Sequence, residues 1–152
     1  SGGAESRGFY GLLNPPYEAK NAPLDSIDEM LMVRGYTPTV FKKLSPYVTV
    51  YGDGLVNINT APREVIMALS GDITVEMAQR VVDYREKEPF KDVSEIRKVM
   101  GMETVGFSLQ GGITVTSDYF RIYSRSIVGE GIRDVEAVVE LKDGKTAYWR
   151  ER

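Results

Sequence analysis

The sequence predicts an α+β protein in which a helical domain of tandem hairpins leads into a small antiparallel β-meander. Three observations carry that expectation. The stretch Val56-Asn57-Ile58-Asn59-Thr60-Ala61-Pro62-Arg63-Glu64-Val65-Ile66 runs through Leu69-Ser70-Gly71 into Ala78-Gln79-Arg80-Val81-Val82-Asp83-Tyr84-Arg85. It reads as a helix-hairpin-helix: an extended lead, a short capped helix, a tight glycine turn and a second helix. Segments of helical spacing that stop on glycine recur at Gly35, Gly71 and Gly101. Residues 119–152 then exchange helical spacing for alternation around a strong turn signal.

Composition bounds the function classes. The chain has 152 residues, 42% hydrophobic and 27% charged, the balance of a globular protein. With 19 Lys+Arg against 22 Asp+Glu the net charge is −3, so no general positive field gathers polyanions, and a nucleic-acid interface has to rest on a local patch. There is no cysteine and no histidine, which removes disulfides, thiol nucleophiles, histidine-based triads and nearly all zinc chemistry. No run approaches the roughly 20 apolar residues of a membrane span, and no charged-apolar-small leader opens the chain. Ser1-Gly2-Gly3-Ala4 reads as a linker or cloning remnant, and the chain as an excised fragment.

Residues 1–22, rich in Gly, Pro and Asn, form a lead-in. Within it Phe9-Tyr10-Gly11-Leu12-Leu13-Asn14-Pro15-Pro16-Tyr17 is expected to be ordered, because its aromatic side chains need cover. The helical domain spans 23–105. Its first helix opens at Pro23-Leu24-Asp25-Ser26-Ile27, with Asp25 as N-cap and Asp28 and Glu29 facing the positive end of the helix dipole, and it stops at Gly35. Thr37 and Thr74 stand as N-caps before the next two helical segments. Gly35, Gly71 and Gly101 are expected as structural turns in the left-handed geometry that ends helices. The result is two hairpins and a half unit packed through their apolar faces.

Residues 106–152 supply the strands. Tyr119 to Val128 and Val135 to Leu141 alternate, Gly129-Glu130-Gly131 lies between them, and Lys142-Asp143-Gly144-Lys145 is a type I′ hairpin signal. With Asp143 and Gly144 as the two turn residues, Val139 faces Tyr148 and Val138 faces Trp149. One face of this sheet is apolar and the strands hold little to cover it, so it is expected to pack on the helices or on protein outside this chain.

Lys20-Asn21-Ala22-Pro23-Leu24-Asp25-Ser26-Ile27, Val33-Arg34-Gly35, Leu44-Ser45-Pro46-Tyr47-Val48-Thr49-Val50-Tyr51-Gly52 and Val56-Asn57-Ile58-Asn59-Thr60-Ala61 together resemble the minor pseudopilin K family (GspK) of the bacterial type II secretion system. The resemblance extends from about Pro15 to Arg152. It implies a tandem helix-hairpin-helix (SAM-like) domain inserted in a pilin-like α/β body, with the meander returning to the pilin-like sheet. It also implies the periplasmic domain of an inner-membrane protein, held by an N-terminal apolar helix absent from this chain. Such a protein caps the pseudopilus tip with the minor pseudopilins I and J, its exposed helical face meeting secreted substrate or the outer-membrane channel. Asn-Ile-Asn-Thr-Ala also occurs in competence-type DNA receptors, and an exported helix-hairpin-helix DNA-binding module is the alternative reading.

The candidate residues divide between these readings. A DNA-binding hairpin uses two glycines so that backbone N–H groups approach a phosphate. Here the turn is Gly71-Asp72-Ile73-Thr74, with a carboxylate where the phosphate would sit. At about 4 Å and an effective dielectric near 20, two like charges repel by roughly 4 kcal/mol. The basic side chains Arg80, Arg85, Lys87 and Lys91 are interleaved with Asp83, Glu86, Glu88 and Asp92, the pattern of a solvated face. Nucleic acid is therefore not an expected partner. Nor is catalysis expected, since Tyr123, Ser124 and Ser126 share a strand with no base beside them. Asp25, Asp28 and Glu29, with Asp53 in its glycine-flanked turn, are candidate calcium ligands, and the resemblance implies calcium in the helical insertion of some members. Their spacing is no EF-hand, so capping and turn formation are favoured and no cofactor is expected. Phe120, Tyr123, Tyr148 and Trp149 are the aromatic candidates for packing on a pilin helix outside this chain, or on this chain's own helices.

Overall fold

A computed structural model describes residues 8–152; the Ser1-Gly2-Gly3-Ala4 linker lies outside them. The chain divides into two compact units between Val50 and Tyr51, inside the 23–105 span expected as one helical domain.

The first unit is held by its aromatic lead-in. Tyr10 is buried, its ring lies 5.0 Å from that of Tyr17, and its hydroxyl accepts the Arg34 N–H. Tyr17 in turn donates to the Met32 carbonyl. The helix expected from Asp25 is a 3-10 segment, Ile27–Met32, and its N-cap is Ser26. Ser26 Oγ accepts the Asp28 N–H, and the Glu29 carboxylate reaches back to the Ser26 N–H. This capping box satisfies orphan donors at both ends of one turn. A six-residue helix of this tighter winding ends at Met32, so Gly35, at φ +96°, shapes the turn beyond it. Helix α1, Pro38–Leu44, follows, with Thr37 Oγ1 accepting the Val40 N–H as its cap.

The second unit contains the helical core. Strand β1 (Val56–Asn57) leads into α2 (Arg63–Ala68) and α3 (Val75–Lys87), followed by a 3-10 segment (Val93–Lys98) and α4 (Val105–Leu109). Thr74 caps α3 through the Met77 N–H, and Asp92 caps the 3-10 segment through the Ser94 N–H. Ile58, Ile66, Ala78, Val81, Ile96 and Met102 are all fully buried. Ala78 and Val81 share one face of α3 at helical spacing. Strand β2 (Ile113–Thr114) runs parallel to β1 and places Ile113 opposite Val56. Two-residue strands carry no alternation, so this pairing was not legible in the sequence. It also moves the expected boundary: α4 crosses residue 105, and Leu109 and Ile113 belong to the helical core.

Strands β3 (Tyr119–Val128), β4 (Gly131–Glu140) and β5 (Thr146–Glu151) form the antiparallel meander in the order β3-β4-β5. Strand β4 begins earlier than expected, because Gly131 already pairs with Val128 and leaves a two-residue turn. The second turn departs further. Only Gly144 has positive φ there, at 66°, whereas a type I′ turn requires it at both central residues. Asp143 instead accepts the Lys145 N–H on its side chain. The register consequently shifts by one: Val138 faces Tyr148 and Ala137 faces Trp149, with an irregularity between Val138 and Val139 that sets Val139 opposite Thr146.

Candidate interaction surface

Side chains on a strand alternate between faces, and residues paired across a ladder share one. The register therefore sorts the four aromatic candidates into two pairs. Ile122, Ala137 and Trp149 form one row across all three strands, next to the Phe120–Val139 pair. This is the apolar face. Ala137 is covered by its neighbours, but Phe120 is 47%, Ile122 50% and Trp149 62% exposed. Tyr123 and Tyr148 point the other way, in rows with Glu136 and Val138. A single aromatic surface made of all four residues is excluded by the pleat. Sequence reasoning missed Ile122 as a member of the apolar face, although its spacing of two from Phe120 marks it.

The opposite face is polar and cross-linked. Arg125 grips Asp134 through both carboxylate oxygens, Nε at 2.6 Å and Nη2 at 2.8 Å. The bidentate guanidinium holds the Asp134 carboxyl below its ordinary range, with the Arg152 charge adding a smaller contribution. Glu136 accepts from the Tyr123 hydroxyl and pairs with Arg121. At the edge of this face Tyr51 stacks on Tyr119 with ring centroids 6.3 Å apart.

The Asn57–Ala61 segment is a polar lock on the helical core. Asn59 donates to the carbonyls of Phe90 (2.9 Å) and Val115 (3.1 Å), while its side-chain oxygen accepts the Phe90 N–H at 2.8 Å. Asn57 reaches Ser117 at 2.8 Å and caps the Asn59 N–H. Arg85 donates from one nitrogen to the carbonyls of Ile58 and Ala61. Its side chain is half-buried, which lowers its pKa, and both bonds go to backbone carbonyls, so it acts as a positioned donor. It is removed from the basic rim that a DNA-binding reading needs.

The remaining expected sites separate. Gly101 takes the left-handed geometry, at φ +95°, and Gly35 does so as described, but Gly71 is absent from the positive-φ glycines. A Cβ at Gly71 would meet nothing within 4 Å. The backbone N–H of Asp72, which would face a phosphate in a DNA-binding turn, is taken by Ser70 Oγ. Three of the calcium candidates, Asp25, Glu29 and Asp53, have partners within the chain. Lys20 holds both Asp25 and Glu29 by ion pairs, and Glu29 Oε1 accepts the N–H groups of Asp25 and Ser26. Asp53 accepts the Leu55 N–H as a turn former. Among the described residues no three acidic side chains gather in a metal-binding arrangement.

With this geometry in place, comparison with known proteins gives a consistent outcome. Residues 56–116 match the family model described as Type II secretion system (T2SS), protein K. Residues 1–53 match a second model with the same description. A relative named Type II secretion system protein K, from Aeromonas hydrophila, is 32% identical over 97% of this chain and 47% of its own length. The fold is similar to a chain in the crystal structure of the GspK-GspI-GspJ complex from the enterotoxigenic Escherichia coli Type 2 Secretion System, with a TM-score of 0.73 and 21% identity over 94% of this chain and 53% of that one. The chain belongs to the protein K family of type II secretion systems. It spans about half the length of these relatives.

Proposed function

We propose that this chain is the later part of a minor pseudopilin that acts by contact rather than catalysis, capping the tip of the type II secretion pseudopilus together with minor pseudopilins I and J. The carrying observation is the exposed apolar row Ile122–Ala137–Trp149 with Phe120 on a sheet of three strands. Such a row has to be covered, and relatives about twice as long contain the additional chain to cover it. In this reading a preceding pilin-like helix packs on that face and anchors the protein in the inner membrane, leaving the body in the periplasm. Among the described residues no helix is long and apolar enough to cross a membrane.

The helical segments around α2–α3 and 93–109 then serve as tandem helix-hairpin-helix (SAM-like) units retained for packing. The conformation at Gly71 and the Asp72 carboxylate argue against a phosphate cradle. No cofactor enters this reading. Co-expression of the full-length protein with pseudopilins I and J is the test. A ternary complex on size exclusion, lost when Phe120 and Trp149 are both replaced by arginine, is expected. Separate elution of wild-type protein would contradict it, as would salt-sensitive duplex DNA binding at micromolar protein.

A further inference from the structure

We infer that Tyr51 is a latch that couples the β-meander to the helical core, so that with the latch seated the two open together and without it the sheet opens alone. Such a latch operates whether or not the chain caps a pseudopilus. Among the described residues, the buried apolar cluster of the core runs from Ile58 to Ile113 and takes no side chain from β3, β4 or β5. The polar lock reaches a little further. Asn59 bonds the Val115 carbonyl and Asn57 the Ser117 hydroxyl, while β3 begins at Tyr119. A sheet and a helical core that share no apolar interior are separate cooperative units unless a contact joins them.

Tyr51 makes that contact. Its ring stacks on Tyr119, the first residue of β3, with centroids 6.3 Å apart and an interplanar angle of 27°. Burial pushes the Tyr51 hydroxyl above its ordinary value, with Tyr148 and Glu136 adding to the rise and Arg121 opposing it. The side chain therefore sits beside the Arg121–Val138–Tyr148 row, which crosses all three strands. Val138 is the most deeply covered side chain of the sheet, at 3% exposure. From Tyr51 the tether back to the core is short. Gly52 and Gly54, at φ +110° and +86°, shape a turn in which Asp53 accepts the Leu55 N–H, and Val56 then donates to the Gly112 carbonyl beside the β1–β2 pair. One end of this strap is pinned in the parallel pair of the core and the other on the sheet, and so short a span leaves little slack between them.

Amide hydrogen exchange of the 152-residue chain, read by mass spectrometry in rising urea below the unfolding transition, tests the latch. In the wild type the amides of β4 around Val138 and those of α3 around Val81 should converge on one opening as urea rises. In Tyr51→Ala the β4 amides should exchange about tenfold faster while the α3 amides keep the wild-type rate. Tyr119→Ala, which removes the stack from the sheet side, should give the same pattern. Tyr51→Phe keeps the ring and should stay within about twofold of the wild type. Retained protection of α3 in each variant establishes that the helical core is folded. Unchanged β4 exchange in Tyr51→Ala, equal acceleration of α3 and β4, or a wild type whose β4 amides open well before those of α3 would each overturn the inference.

Discussion

Asn59 joins three parts of the chain through one amide, and its loss should be the most damaging polar substitution in the helical core. Asn59→Ala leaves the Phe90 N–H and two carbonyls without that partner, so a cost of about 2–3 kcal/mol in urea unfolding is expected. A change below about 0.5 kcal/mol, the range of surface substitutions, would show that the lock is redundant. The asparagines were legible as a motif, but their role was not, because Phe90 and Val115 lie 31 and 56 residues away. Glu29 gives a second test at this scale. Its carboxyl is held below its ordinary value of 4.5, first by the Asp25 N–H and then by Lys20. A depressed carboxylate stabilises the fold above the unfolded pKa, and that contribution disappears as pH falls through the folded one. Acid titration of wild type should therefore lose stability below about pH 4.5 that Glu29→Gln never had. Parallel pH curves for the two proteins would contradict this.

At the scale of elements, caps were easier to read than turns. Thr37, Thr74 and the acidic first turn of the Ile27–Met32 segment depend on neighbours within four residues, and sequence spacing locates them. Glycines did not behave alike, because left-handed geometry depends on how the following chain departs. Gly101 has φ +95° and would set a Cβ 3.1 Å from Met77 Cγ, whereas Gly71 has open space and no positive φ. Gly101→Ala should then cost about 1–2 kcal/mol, while Gly71→Ala is neutral or stabilises by up to about 1 kcal/mol through the unfolded state. Equal effects of the two, measured by chemical denaturation, would refute the assignment. The β4–β5 register failed for a similar reason. Asp-Gly marks a turn, but the Asp143 side-chain bond to Lys145 selects a different loop, and one residue of slip exchanges the faces of Tyr148 and Trp149 relative to Val138.

For the molecule as a whole, the sequence made the α+β class and the exposed apolar sheet face legible, because alternation over ten residues is a strong signal. The division at Val50 and the inclusion of Ile113 in the helical core were not legible, since both depend on contacts remote in sequence. The central claim is that the row containing Trp149 is covered by protein preceding this chain in the full-length pseudopilin. Burial of such an aromatic side chain contributes about 1.5–3 kcal/mol, enough to bias a docking equilibrium. Hydroxyl-radical footprinting at Trp149, read by mass spectrometry in the 152-residue chain and in the full-length protein, tests it most directly. The account predicts ready oxidation in the isolated chain, where Trp149 is 62% exposed, and several-fold protection in the full-length protein. Equal oxidation in both would leave the apolar face uncovered and contradict the pilin-like packing on which the proposed function rests.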